Sequence, residues 1–201
     1  MTLTTENKQN EFNKMISAVS KCKKCERMCN RKKVLSKNNG NINAKVMFIA
    51  EAPGRLGAEK TGIPLYGDKT GANFDKLLNS IGWKREDIFI TNAILCNPQN
   101  EDGNNSTPTR EEKENCSEYL RRTIELVNPE FIVTLGINAL ETLKYLERHN
   151  YILKKCVTKK LSWNGRYVFP LYHPSPKGMI SRRFETQMMD FGKLSNVVLC
   201  S

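Results

Sequence analysis

Residues 44–54 read AKVMFIAEAPG. The run is short and apolar without alternation. That is the signature of a strand buried on both faces, since a half-buried strand alternates and a helix needs more length. The run ends in a carboxylate, Glu51, followed by Ala52, Pro53 and Gly54. Proline fixes its backbone angle and glycine leaves no side chain in the way, so the chain turns sharply there. A buried strand entering a polar turn is the unit from which the rest can be read.

The unit repeats downstream. Residues 87–95 and 130–135 read as further strands, and residues 161–170 hold Asn164-Gly165 between apolar and aromatic arms, a hairpin signal. The second arm runs into His173-Pro174-Ser175. Helical spacing fills the intervals. Phe74, Leu77, Leu78 and Ile81 share a face over 70–81, residues 137–146 form another helix, and the last spans 183–194. Thr109 with Glu112 three residues on is a capping-box pattern, opening a helix to about residue 127. Upstream, residues 11–20 place Phe12, Met15, Ile16 and Val19 on one face. A polar lead-in, 1–10, precedes them; a basic cysteine-bearing segment, 21–37, and a polar loop, 38–43, follow.

Strands alternating with helices predict an α/β fold: a three-layer α/β/α sandwich around a mainly parallel, four-stranded sheet. A length of 201 residues suits one domain over the whole chain. Ligands of such sheets bind beyond the carboxyl ends of the strands. Three polar motifs fall there: residues 51–54 after the first strand, 92–96 at the end of the second, and 173–175 after the last. They are expected to converge on one crevice.

Thirty-two Lys and Arg against 21 Asp and Glu leave a net charge of +11. Such an excess favours a polyanionic partner, because each neutralised phosphate releases counterions; a basic source proteome gives the same balance. No stretch approaches the ~20 apolar residues that cross a bilayer, and the polar start lacks the apolar core of a signal peptide. The expectation is a cytoplasmic protein, monomeric, with no membrane partner. Seven cysteines in that compartment point to metal or reactive thiols rather than disulfides.

Cys22 and Cys25 form a Cys-x-x-Cys pair with Cys29 close behind, and Cys96 and Cys116 lie far downstream. Two intervening residues let both thiolates reach one metal centre, and sulfur suits zinc or iron–sulfur. A zinc knuckle or a redox pair fits the pair equally well. Cys29 stands where it could replace Cys25. Cys96 and Cys116 read alone are ordinary buried thiols, and Cys156 and Cys200 are structural or incidental.

Taken together, Glu51-Ala52-Pro53-Gly54 after a strand, Thr91-Asn92 four residues before Cys96, His173-Pro174-Ser175 near the end, and the cysteines in matching order resemble the uracil-DNA glycosylase superfamily. They resemble more narrowly its iron–sulfur branches, families 4 and 5. The resemblance covers about residues 20–195. It implies a [4Fe–4S] cluster on Cys22, Cys25, Cys96 and Cys116, with Cys29 as an extra thiol, and DNA containing uracil or another deaminated base as partner. The motifs are mixed. Residues 51–54 are similar to family 4, whereas Gly57-Ala58, Thr61-Gly62 and residues 67–71 (GDKTG) look like family 5. The second acidic pair of family 4 is replaced near Leu56 and Gly57. The aromatic that stacks on uracil in both families falls at Leu65, so Leu65 or Tyr66 has to supply that wall. A related branch that attaches covalently to uracil-DNA carries a basic loop with a histidine; residues 97–108 here are Asn-rich and acidic, without one.

The implied chemistry assigns roles. Excision requires a base that has left the stack; cleavage puts positive charge on the sugar and negative charge on the leaving base. His173 is assigned to the leaving oxygen, against the commoner case of a structural histidine. Asn92, otherwise a turn cap, can match the O4 and N3–H edge of uracil. Glu51 and Asp68 are the carboxylates for water and sugar cation, with helix capping the alternative for Asp68. Backbone N–H groups around the turn, where Pro53 sits between Ala52 and Gly54, add anion contacts. Residues 175–183 (SPKGMISRR) read as a DNA element: Ser175 opens it, Met179 and Ile180 fill the gap left by the flipped base, and Lys177, Arg182 and Arg183 hold phosphates. The same segment could be a plain surface turn. Hypoxanthine or xanthine as the excised base, or a weakly catalytic iron–sulfur DNA-binding protein, are the alternative functions.

Overall fold

The computed structural model describes residues 4–201; of the polar lead-in, residues 1–3 lie outside them. Helix α1 (Thr5–Ser20) starts earlier than the hydrophobic spacing suggested, because Thr4 caps it by accepting from the Asn7 N–H. Its buried side chains are Phe12, Met15 and Val19, as the spacing predicts.

Strand β1 (Val46–Ala50) is buried throughout and lies between β2 (Phe89–Asn92) and β3 (Phe131–Leu135), parallel to both. Strand β5 (Arg166–Leu171) adds in parallel to β3. The sheet has five strands, ordered β2-β1-β3-β5-β4, not the four expected. The fifth is β4 (Leu161–Trp163), the first arm of the predicted hairpin, antiparallel to β5. Asn164 and Gly165 both take positive φ, 47° and 71°, the geometry of a tight hairpin turn. A two-residue turn brings its arms into register, so the hairpin that delivers β5 necessarily adds a partner on its free edge.

Side chains alternate across the sheet. Met47 and Ile49 face one core with Phe12, Met15, Leu120, Ile124 and Leu140. Val46 and Phe48 face the other with Phe74, Leu77, Phe191 and Leu194. The first layer is therefore α1, α4 (Arg110–Val127) and α5 (Ile137–Thr142); the second is α3 (Lys69–Asn79), which follows the short helix α2 (Ala58–Thr61), and the final helix, Phe184–Leu199. The capping box at α4 forms as read: Thr109 Oγ1 accepts from the Glu112 N–H and the Glu112 carboxylate from the Thr109 N–H.

Strand β2 is shorter than the 87–95 reading. After Asn92 the chain bends over the end of β1, with Ala93 and Ile94 donating to the carbonyls of Ala50 and Glu51. That bend takes Ile94 and Cys96 out of the sheet and packs them with Met28 and Cys116. Residues 175–183 are not an open turn. They form a short helix, Pro176–Ser181, with Ser175 as its cap.

Candidate active site and metal centre

The sheet register places the polar motifs. Ala50 pairs with Asn92 and Leu135 with Leu171. Glu51, Asn92, Gly136 and Tyr172 therefore emerge side by side at the carboxyl ends, and a cleft of about 600 Å³ opens above them. Glu51, Ala52, Pro53, Gly54, Leu65, Tyr66, Asp68, Asn92, His173, Ser175 and Lys177 all line it. The three sequence motifs do meet in one crevice.

Asn92 is 2% exposed, and its side-chain N–H₂ finds no hydrogen-bond partner among the described residues. A buried unpaired donor is costly. Here it faces the cleft, which makes it a group waiting for an acceptor.

His173 follows β5. Burial pushes its pKa down to about 4, with the Asp68 carboxylate acting weakly the other way. The imidazole is neutral at pH 7 and can donate a single N–H. Gly178 packs directly against the His173 carbonyl, where no side chain would fit.

Asp68 combines the two alternatives weighed for it. Its Oδ1 accepts from the Gly71 N–H at 2.9 Å and caps α3. Its Oδ2 points at the turn carrying Gly54 and Gly57; a Cβ on Gly57 would stand 2.6 Å from it. Gly57 is thus needed for the close approach of that carboxylate. Glu51 is half-buried and its pKa is raised by that burial, against a hydrogen bond from Asn138 and the charge of Lys113.

The side wall is Leu65. It is buried, at φ 50°, a left-handed conformation that strains a branched side chain. Arg85 holds it there, donating to the carbonyls of Pro64 and Leu65, pairing with Asp75 at 2.7 Å, and lying over the Tyr66 ring. Tyr66 remains 46% exposed at the mouth. Across the cleft, Asn97 is buried and donates to the Pro53 carbonyl and to Asn105, which also accepts from the Arg55 N–H. This ties loop 97–108 to the 51–54 turn. Arg85, Asn97, Asn105, Asn138 and Gly178 were not singled out in the sequence. An Asn-rich loop was the only signal available for two of them.

The short helix after His173 presents its residues unequally. Lys177 and Arg183 are exposed. Ile180 is 85% exposed, whereas Met179 is half-buried beside Asn73. Arg182 departs from its expected role. Its guanidinium is engaged by both oxygens of Asp190, which is 1% exposed, and lies over the Tyr172 ring. A buried carboxylate needs that cation, so Arg182 is a structural ion pair rather than a free phosphate contact.

On the far side of the 51–54 turn, Cys22, Cys25, Cys29, Cys96 and Cys116 line a single small cavity with Met28 and Asn115. Burial and the neighbouring thiols push Cys96 up to about 12 and Cys116 to about 11. Cys22 and Cys25 bear on both. Asn115 donates to Cys25 Sγ at 3.6 Å. Arg27 pins the segment in place through a two-point ion pair with Glu112 and a bond to Ser106. Among the described residues, no three potential ligands gather closely enough for a single metal ion; the thiols surround a shared space instead. Cys156 packs in the main core and Cys200 is exposed.

Fold and cleft together define an α/β enzyme with an imidazole, two carboxylates and a free amide converging at the ends of parallel strands. A sequence profile of the uracil DNA glycosylase superfamily matches residues 37–191. A type-4 uracil-DNA glycosylase of Thermotoga maritima is 35% identical over 158 residues, 78% of each chain. One from Saccharolobus solfataricus is 38% identical, covering 78% of this chain and 72% of that one. A type-5 uracil-DNA glycosylase of Pyrobaculum aerophilum is 31% identical over 75% of this chain and 70% of its own. The chain belongs to the uracil-DNA glycosylase superfamily.

Proposed function

We propose that this protein excises uracil from DNA and leaves an abasic site. The observation that carries the reading is the unpaired Asn92 amide at the floor of the cleft. Uracil O4 would accept from its N–H₂, and uracil N3–H would donate to its Oδ1. Cytosine presents the reverse pattern and would leave buried groups unpaired. The flipped base lies against Leu65 and Tyr66. Neutral His173 donates to the developing anion on uracil O2, in a desolvated site where such bonds are strongest. As the bond between the sugar C1′ and uracil N1 breaks, the electron pair leaves with the base. Glu51 and Asp68 stabilise the sugar cation and take the proton from the water that adds to C1′. Backbone groups of the 51–54 turn and Lys177 and Arg183 hold phosphates, and Ile180 fills the space the base vacates. Hypoxanthine and xanthine are not favoured, because the similar relatives that cover most of the chain are named uracil-DNA glycosylases.

The four thiols Cys22, Cys25, Cys96 and Cys116 fit a [4Fe–4S] cluster. Burial and the neighbouring thiols keep Cys96 and Cys116 protonated unless a metal centre compensates them, and with the half-buried Cys22 and Cys25 they enclose a common space rather than a point. Bound there, the cluster would brace the 21–37 segment against α4 and the bend after β2. The reading is of a single-domain, monomeric, cytoplasmic enzyme; no described helix is long and apolar enough to cross a membrane. Single-turnover release of free base from an oligonucleotide carrying one uracil, with Asn92→Ala beside the native protein, tests it.

A further inference from the structure

Strands β1 and β3 are neighbours, but the chain leaves them toward opposite faces of the sheet. After β1 it runs to α3, which packs with Phe48. After β3 it enters α5, whose Ala139 and Leu140 pack with Met47 and Ile49. A crevice opens between such diverging connections. One side-chain bond is seen to span it: Asn138 Nδ2, on α5, donates to Glu51 Oε1 at 2.8 Å. A carboxylate can only accept, so the amide nitrogen must be the atom facing it.

We propose that Asn138 is a positioning residue for Glu51, fixing one carboxylate oxygen across the crevice so that the other is presented to the cleft. The inference rests on the excision reading for its consequence, though the bond itself does not. Three observations support it. Asn138 and Glu51 both line the cleft that holds Asn92 and His173. Nothing in the packing of α5 calls for an amide at that position, since its buried side chains are Ala139, Leu140 and Thr142. Glu51 is also held in conflict: burial raises its pKa, and the Asn138 bond and the charge of Lys113 on α4 oppose the rise. The other ionisable groups lining the cleft are Asp68 at the start of α3, His173 after β5 and Lys177 on the helix beyond. Among the described charges Lys113 is the one that bears on Glu51, and a neutral His173 adds none. A bond that favours the charged form then helps to keep Glu51 ionised and available as an acceptor.

The test is the titration of Glu51 in the full-length protein without DNA, by carboxyl-carbon NMR assigned with Glu51→Gln. The variants are Asn138→Ala and the near-isosteric Asn138→Asp, which keeps the shape and adds a like charge. Glu51 should titrate at higher pH in the alanine variant and higher still in the aspartate variant. The acid limb of single-turnover uracil release should move with it. A one-unit move costs about ten-fold in the ionised fraction below the pKa, so Asn138→Ala should lose up to about ten-fold on the acid limb and recover toward the native rate above it. In a Glu51→Gln background, Asn138→Ala should have no further effect. An unmoved Glu51 titration in both variants overturns the inference. A moved titration in a protein whose native form releases no uracil upholds the positioning and overturns the excision reading instead.

Discussion

A Cβ built on Gly178 would stand 2.0 Å from the backbone oxygen of His173. No real side chain tolerates that contact, so the helix after His173 can sit where it does only with glycine at this position. Its N–H is held by Ser175 Oγ at 3.1 Å, which closes the turn beneath the imidazole. Gly178→Ala must push His173 or the helix away. Misplacement of a catalytic group by ~1 Å is worth about 100-fold in rate. The expected result is a single-turnover loss of that order with binding to uracil-free DNA retained; a native rate would mean that the His173 position is not set from this side.

Asp68 shares its two oxygens between helix and cleft. Asparagine caps helices about as well as aspartate, so Asp68→Asn should keep the bond to Gly71 and lower the unfolding temperature little. It removes the charge facing the Gly54–Gly57 turn, and the excision rate should fall about 100-fold, the usual worth of preorganised electrostatic stabilisation. Asp68→Ala should lose both stability and rate. A native rate for Asp68→Asn would leave Glu51 as the acid that matters.

The elements that position the cleft were readable because each carries a local signal. AKVMFIA is too short and too apolar to be anything but a buried strand, and Thr109 with Glu112 announces a helix start. The fifth strand was half-visible: Asn164-Gly165 marks a hairpin, but nothing in LSW says that its first arm joins the sheet. Glu51, Asn92 and His173 were legible through strand ends and motif order. Asn138 and Gly178 were not, because their roles come from contacts 87 residues and one helical turn away. Arg182 was misassigned for the same reason. A basic residue beside other basic residues looks like a phosphate contact until Asp190, eight positions on, is seen buried beneath it.

That ion pair separates Arg182 from its neighbours. Arg182→Glu should destabilise the fold by several kcal/mol, since breaking a buried pair typically costs ~3–5 kcal/mol, and thermal unfolding reads it directly. Lys177→Glu and Arg183→Glu should leave the unfolding temperature near native and weaken DNA binding, with a shallower salt dependence. Ile180→Ala, more than Met179→Ala, should slow excision from duplex while sparing single strands, because only a duplex has a stack to hold open. Equal effects on both substrates would count against Ile180 as the wedge.

The thiol cavity makes a prediction independent of DNA. Purified without oxygen, the protein should be brown with broad absorbance near ~400 nm, as cysteine-ligated iron–sulfur clusters are. Alanine at Cys22, Cys25, Cys96 or Cys116 should bleach it and lower its solubility; alanine at Cys156 or Cys200 should not. Bleaching by Cys29→Ala with colour kept in Cys25→Ala would reassign the fourth ligand, and a colourless protein holding stoichiometric zinc would replace the cluster altogether.

The most direct measurement is the base released in a single turnover, followed by chromatography, from matched oligonucleotides carrying uracil, hypoxanthine, xanthine or cytosine at one position. Native protein should release uracil and leave an alkali-labile abasic site, with the other bases slower by at least ~100-fold, and Asn92→Ala should lose the uracil reaction. Release of hypoxanthine or xanthine faster than uracil, or release of no base by a brown, folded protein, would contradict the account.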